Sequence, residues 1–226
     1  MEGIMMKPII VVNFKTYEKS SGKKALKLAS VCERVARTSK IIPVVQHADL
    51  GFVAKKIDLD VYAQHVDYFE PGRNTGFSTI ESLQNNKVKG SLLNHSEHKL
   101  KLRIVKKTVK RCKEKNFKVI VCVDTLRKTK KILKSQPEML AFEVPELIST
   151  GKSITKYKGK DVTKFAQIVY KFNKKNKTKV IPLCGAGISN EKDVKAAIKL
   201  GCSGVLVASA VVKSRNPAKL LRKMLL

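Results

Sequence analysis

Short runs of continuous apolar residues alternate with longer amphipathic stretches along the whole chain. The runs predict strands over Pro8–Val12, Ile41–Val45, Leu59–Ala63, Val88–Leu93, Phe117–Val123, Met139–Phe142, Lys179–Cys184 and Gly204–Val207. The amphipathic stretches predict helices over Lys23–Ala36, Leu50–Lys56, Ser78–Gln84, Glu97–Lys115, Leu126–Leu133, Asp161–Asn173, Glu191–Leu200 and Ala218–Met224. The stripe in the fourth helix is Leu102, Val105, Val109 and Cys112, and Gly201 follows the seventh as a natural helix stop. One long turn-rich segment, Gln64 to Phe77 with Pro71, Gly72 and Gly76, interrupts the alternation.

Eight strand–helix units result, at roughly 28 residues each. Runs such as IIVV, VIVCV and GVLV lack the apolar–polar alternation of a half-exposed strand, so they suit parallel strands covered on both faces. The expected fold class is α/β, a single (β/α)8 barrel of the TIM type over residues 1–226, since no charged or Pro/Ser-rich linker marks a second domain. A doubly wound open sheet is the alternative. The GAG at Gly185 to Gly187 falls short of a full GxGxxG, which weakens a dinucleotide-binding reading.

Charge changes the picture less than its size suggests. Lys and Arg number 47 against 18 Asp and Glu, a net charge of +29. The lysines are spread over every predicted helix, and with no Trp there is no aromatic–basic interleaving of the kind that stacks bases. Nucleic-acid binding is therefore expected only as a nonspecific consequence of the charge, whereas a positive field would hasten arrival of an anionic substrate. No run approaches the about 18 apolar residues of a membrane span. The opening MEGIMMKPIIVVNF reads as a first strand rather than a signal peptide. Five dispersed cysteines without a CxxC pair suit reduced thiols in a cytoplasmic protein, and neither they nor the four histidines show metal-ligand spacing.

In a barrel the chemistry sits at the C-terminal ends of the strands. Read in turn, those ends carry Asn13 and Lys15, Gln46, Gln64, Asn94 and His95, Asp124, Glu143, Gly185 to Gly187, and Ala208 with Ser209. A cation, an imidazole and a carboxylate thus stand at separate strand ends. The last two strands end in small residues, which let backbone N–H groups approach an anion. Ser96 is placed to cap the helix predicted from Glu97, and the positive end of that helix would favour a neutral His95. After Glu143, Pro145 followed by Ser149, Thr150 and Gly151 describes a loop stiff at one end and small at the other, suited to a lid.

The stretches VVNFKTY (11–17), AQHVD (63–67), NTG (74–76), LLNHSE (92–97), FEVPELISTG (142–151), LCGAGIS (183–189) and GVLVASAVVK (204–213) carry a resemblance that runs nearly end to end. The chain resembles the triosephosphate isomerase family, in its short archaeal form. The resemblance implies interconversion of D-glyceraldehyde 3-phosphate and dihydroxyacetone phosphate in glycolysis and gluconeogenesis, with no cofactor and no metal. It implies that Glu143 is the base, His95 the neutral electrophile, Lys15 the stabiliser of enediolate and phosphate, Asn13 an orienting group, and Glu97 the carboxylate that positions the lysine. Ile148, Ser149, Gly187, Ala208 and Ser209 are implied as the phosphate cradle, together with Asn13 and Lys15. The 64–77 segment is similar to the arm that inserts into a partner subunit, with Thr75 at its tip, which implies a homodimer or homotetramer. Three departures stand out: Val144 where a proline usually follows the base, Ser149 where the lid usually has glycine, and His98 with Lys99 in place of a pair usually containing arginine.

Overall fold

Eight parallel strands, each bonded to the next, close into a barrel when β1 pairs with β8. The computed structural model describes residues 8–36, 39–147, 150 and 153–225. The strands are β1 (Ile9–Asn13), β2 (Ile41–Val45), β3 (Tyr62–Ala63), β4 (Gly90–Leu93), β5 (Lys118–Val123), β6 (Met139–Glu143), β7 (Ile181–Gly185) and β8 (Gly204–Val207). Closure excludes the open doubly wound sheet. The helices that return the chain are α1 (Lys23–Ala36), α2 (Leu50–Ala54), α3 (Ile80–Asn85), α4 (Leu102–Glu114), α5 (Leu126–Leu133), α6 (Ile154–Tyr157), α7 (Gly159–Asn176), α8 (Glu191–Lys199), α9 (Ser209–Val212) and α10 (Pro217–Met224).

Alternate side chains of each strand serve two different cores. Val11, Ile42, Val44, Tyr62, Leu92, Ile120, Met139, Leu183 and Leu206 fill the barrel. Their neighbours Ile10, Val12, Val45, Leu93, Val121, Leu140 and Val205 pack outward against helix residues such as Leu28, Val105, Val109 and Phe165. That double burial is why the strands read as unbroken apolar runs. It also forces glycines. A methyl carbon on Gly90 would stand 2.6 Å from the Tyr62 ring, and one on Gly204 would overlap the Ile9 carbonyl.

Several predicted boundaries shift by one to three residues, and two differences have identifiable reasons. The third strand, expected over Leu59–Ala63, narrows to Tyr62–Ala63, the only residues in register with both β2 and β4. The fourth helix, expected from Glu97, begins at Leu102 after Lys101, which supplies no side-chain cap. Residues 95–98 instead form a single turn closed by the His98 N–H on the His95 carbonyl, at 2.8 Å. Ser96 is therefore not a helix cap, and His95 does not stand on the first turn of α4. Elsewhere the caps do set the starts: Thr79 for α3, Thr125 for α5, Asn190 for α8, and Asn216 with Pro217 behind it for α10. Gly201, at φ +96°, ends the seventh predicted helix. Among the described residues no helix is long and apolar enough to cross a membrane.

Candidate active site

The C-terminal mouth of the barrel holds a cavity of about 380 Å³ whose wall includes Asn13, Lys15, His95, Glu143, Gly187, Ala208 and Ser209. Strand ends β1, β4, β6, β7 and β8 thus bring to one place every described residue that the sequence singled out there, apart from Gln46, Gln64, Asn94, Asp124 and Gly185. Gln46 binds Asp49 at 2.8 Å, which in turn accepts the Gly22 N–H, so it braces the loops after β1 and β2. Asp124 pairs with Lys128 at 2.8 Å and Lys99 at 3.5 Å on the outer rim. Ile148 and Ser149, and with them Gly151 and Lys152 of the expected lid, lie outside the described residues.

Strain marks the same strand ends. Lys15, Asn94 and Ala186 all take positive φ, at +48°, +61° and +80°. For Lys and Ala this costs about 1 kcal/mol or more each, so the surroundings must hold them there. The means are visible for Lys15: its N–H donates to Asn13 Oδ1 at 2.9 Å, and its carbonyl accepts from Gln64 Nε2 at 2.9 Å. Asn94 donates to the Cys122 carbonyl at 2.8 Å and accepts from the Leu100 N–H at 2.9 Å. Gly187, at φ +68°, is where glycine alone is unstrained.

Four charged or polar heads face each other inside this frame. Lys15 Nζ sits 2.6 Å from Glu97 Oε1, the lysine largely buried and the carboxylate half exposed. His95 lies between two carboxylates, with Nε2 3.6 Å from Glu143 Oε2 and Nδ1 3.6 Å from Glu97 Oε2. The Glu97 backbone N–H donates to His95 Nδ1 at 3.2 Å. An Nδ1 that accepts is unprotonated, so the neutral ring carries its proton on Nε2, facing the cavity. One local amide fixes the tautomer, without help from the dipole of α4, which starts only at Leu102.

Glu143 is almost fully buried, and its Oε2 finds no hydrogen-bond partner among the described residues. A buried, bare carboxylate oxygen is costly unless something arrives to use it. Cys122 stands beside it inside the barrel. Burial first, then the Glu143 charge, push that thiol well above its ordinary range, so it remains a neutral SH next to the carboxylate. Gly185 closes the other side: a methyl carbon there would come within 3.0 Å of Glu143 Oε1 and of the Leu206 carbonyl. Neither Cys122 nor Gly185 was identified as a site residue from sequence. Gly185 lies inside the noticed GAG, but its reason is the neighbouring strand's carboxylate, which one-dimensional reading does not supply.

The residues that depart from the expected pattern have partners. His98 stacks on His65 with ring centroids 4.4 Å apart, and Lys99 faces Asp124. Val144 is buried at the start of a short turn in which the Leu147 N–H bonds its carbonyl at 3.0 Å.

A parallel eight-stranded barrel with a base, a proton-bearing imidazole and a cation converging at its mouth defines an acid–base enzyme of the (β/α)8 class. Comparison with known proteins narrows this. A model of the triosephosphate isomerase family matches residues 8–224. The triosephosphate isomerase of Methanothermus fervidus is 40% identical over 98% of this chain and 99% of its own length. That of Methanocaldococcus jannaschii is 37% identical over 96% and 98%, and that of Pyrobaculum calidifontis 38% identical over 94% and 92%. The chain belongs to the triosephosphate isomerase family, and it is an isomerase.

Proposed function

We propose that this chain interconverts D-glyceraldehyde 3-phosphate and dihydroxyacetone phosphate through an enediolate, as a glycolytic and gluconeogenic enzyme of the cytoplasm. The observation that carries the reading is the 3.6 Å approach of His95 Nε2 to Glu143 Oε2, with Lys15 on the same cavity wall. Glu143 takes the proton from the carbon beside the carbonyl. His95 donates from Nε2 to the carbonyl oxygen, and Lys15 stabilises the charge that develops there. A positioned base is worth about 10² to 10⁴ in rate and a preorganised donor about 10² to 10³. The bare Oε2 of Glu143 supports its role, since the reacting C–H is the partner it lacks. The tautomer set by the Glu97 N–H supports that of His95, because a neutral donor can hand its proton over and recover it from the second oxygen. These steps call on no cofactor and no metal.

Asn13 orients the substrate through the loop it shares with Lys15, and Glu97 positions the lysine. The phosphate is held by Lys15, the backbone of Gly187, Ala208 and Ser209, and the lid residues Ile148 and Ser149. Gly187 and the small residues after β8 suit this, because their N–H groups are not screened by bulky side chains.

The whole chain acts as one barrel domain and assembles as a homodimer or homotetramer through the 64–77 loop. Asp67 pins the base of that loop by accepting the Ser78 N–H at 2.8 Å, while Arg73, Thr75 and Gly76 are exposed. A second cavity of about 740 Å³ next to the site, lined by Lys15, His65, Phe77, His95 and Glu97 among others, supports insertion of a partner's tip. Nucleic acid binds only nonspecifically, through the +29 charge.

The test of mechanism is isotopic. Turnover in D₂O washes solvent deuterium into the product carbon if the proton passes through Glu143 and an enediolate. Product and recovered substrate that both stay free of carbon-bound deuterium over many turnovers indicate direct hydride transfer and overturn the proposal.

A further inference from the structure

Lys213 belongs to none of the groups assigned above, yet it stands on the wall of the 380 Å³ cavity together with Lys15, Ala208 and Ser209. Its position follows from β8 and the one-turn helix α9: the Lys213 N–H closes that turn on the Ser209 carbonyl at 2.9 Å. Its ammonium rests over the Tyr17 ring, 4.7 Å from the centroid. Tyr17 is half-buried against the core and lies two residues past Lys15. The contact therefore spans the cavity's edge, from the loop after β8 to the loop after β1.

The charges around it set what it can do. Among the described residues lining this cavity Glu143 is the only carboxylate. Lys15 has Glu97 as a counter-ion at 2.6 Å, whereas Lys213 has no ion pair among the described residues and only the ring beneath it. An aromatic face holds an ammonium in place without neutralising it. A lysine so held loses less freedom when an anion arrives than one waving in water.

We propose that Lys213, held over Tyr17, is a second cation for the phosphate end of the substrate and determines its affinity. This rests on the phosphate-bearing substrate of the proposed function. The group acts at a distance of several ångströms in a partly wet cavity. There a single added charge facing a dianion is worth about five- to tenfold in affinity, and less at high salt.

Three variants test it: Lys213→Ala, Lys213→Arg and Tyr17→Leu, with glyceraldehyde 3-phosphate, unphosphorylated glyceraldehyde and inorganic phosphate as probes. For Lys213→Ala we expect KM for the phosphorylated substrate and the inhibition constant of inorganic phosphate to rise together, about five- to tenfold. Turnover at saturation changes by less than about twofold, and reaction of glyceraldehyde is unaffected. Lys213→Arg restores most of the affinity, and Tyr17→Leu gives a weaker effect in the same direction. Both constants within about twofold of wild type in Lys213→Ala overturn the proposal, as does an equal loss on glyceraldehyde, which marks a role in folding alone. A wild-type protein without isomerase activity overturns the proposed function itself, and direct binding of inorganic phosphate, measured by calorimetry on wild type and Lys213→Ala, separates the two failures.

Discussion

Gly185 faces Glu143 across neighbouring strands so closely that any side chain would begin 3.0 Å from the carboxylate's Oε1. The register pairs these two residues directly. A glycine at the end of β7 therefore leaves the room in which the carboxylate on β6 sits. Gly185→Ala should make Glu143 give way by a few tenths of an ångström and lower kcat by about 3- to 10-fold, since the line of the base to the substrate is that sensitive to position. KM should change little. Steady-state kinetics check this, and a kcat within twofold of wild type would show that the carboxylate has room to spare.

His95 depends on a backbone amide for its tautomer. His95→Gln keeps a donor but loses the ability to pass a proton between two oxygens. We expect kcat to fall about 10²- to 10³-fold with Tm unchanged within a few degrees, measured by turnover and thermal unfolding.

All five cysteines are free and buried. Burial pushes Cys32 and Cys112 up to about 12 and Cys122 well above its ordinary range, while for Cys184 the hydrogen bond with Cys202 comes first and burial second in raising the thiol. A thiol reagent at neutral pH should leave the native protein unmodified over minutes and titrate five groups once it is unfolded, because only an accessible thiolate reacts. Rapid labelling of native protein would contradict the burial described here.

Acid should weaken the fold through the histidines beside the site. Burial first, then the charge of His65, lower both His47 and His98, with Asp67 partly opposing. A base whose folded value is depressed binds fewer protons folded than unfolded. Its contribution to stability is thus complete above the ordinary value of 6.5 and is lost as the pH falls through the lowered folded values. Tm should drop between about pH 7 and 5, and His47→Asn with His98→Asn should flatten that drop. An unchanged slope in the double variant would assign the acid sensitivity elsewhere.

The 64–77 loop gives a test of assembly. Sedimentation should show about two or four times the chain mass of 25.2 kDa. Thr75→Arg, at the exposed tip, should shift the protein towards monomer and cut turnover, since the loops it would brace carry Lys15 and Glu97.

Fold class was legible because double burial writes an apolar run for every strand and an amphipathic stripe for every long helix. Lys15, His95 and Glu143 could be placed at strand ends because they are polar residues directly after such runs. What escaped depended on neighbours distant in sequence. Leu59 and Val61 are apolar enough for a strand, but Asp60 between them pairs with Lys118 and none of the three has a register partner in β2 or β4. Glu97 looked like a helix start because Ser96 precedes it, yet the chain first makes one closed turn to bring the Glu97 N–H under His95. The brevity of α6 and α9 left no periodicity to detect. Gly185, Cys122 and Lys213 take their meaning from Glu143 and Tyr17, and no spacing rule connects them.

The most direct measurement is isomerase turnover of purified protein on glyceraldehyde 3-phosphate, beside Glu143→Gln. The amide keeps the shape of the side chain and removes the base. Fast turnover in the wild type that falls by about 10³-fold or more in the variant, with KM little changed, is the predicted result. A variant that retains more than about a tenth of wild-type turnover would contradict Glu143 as the group that moves the proton.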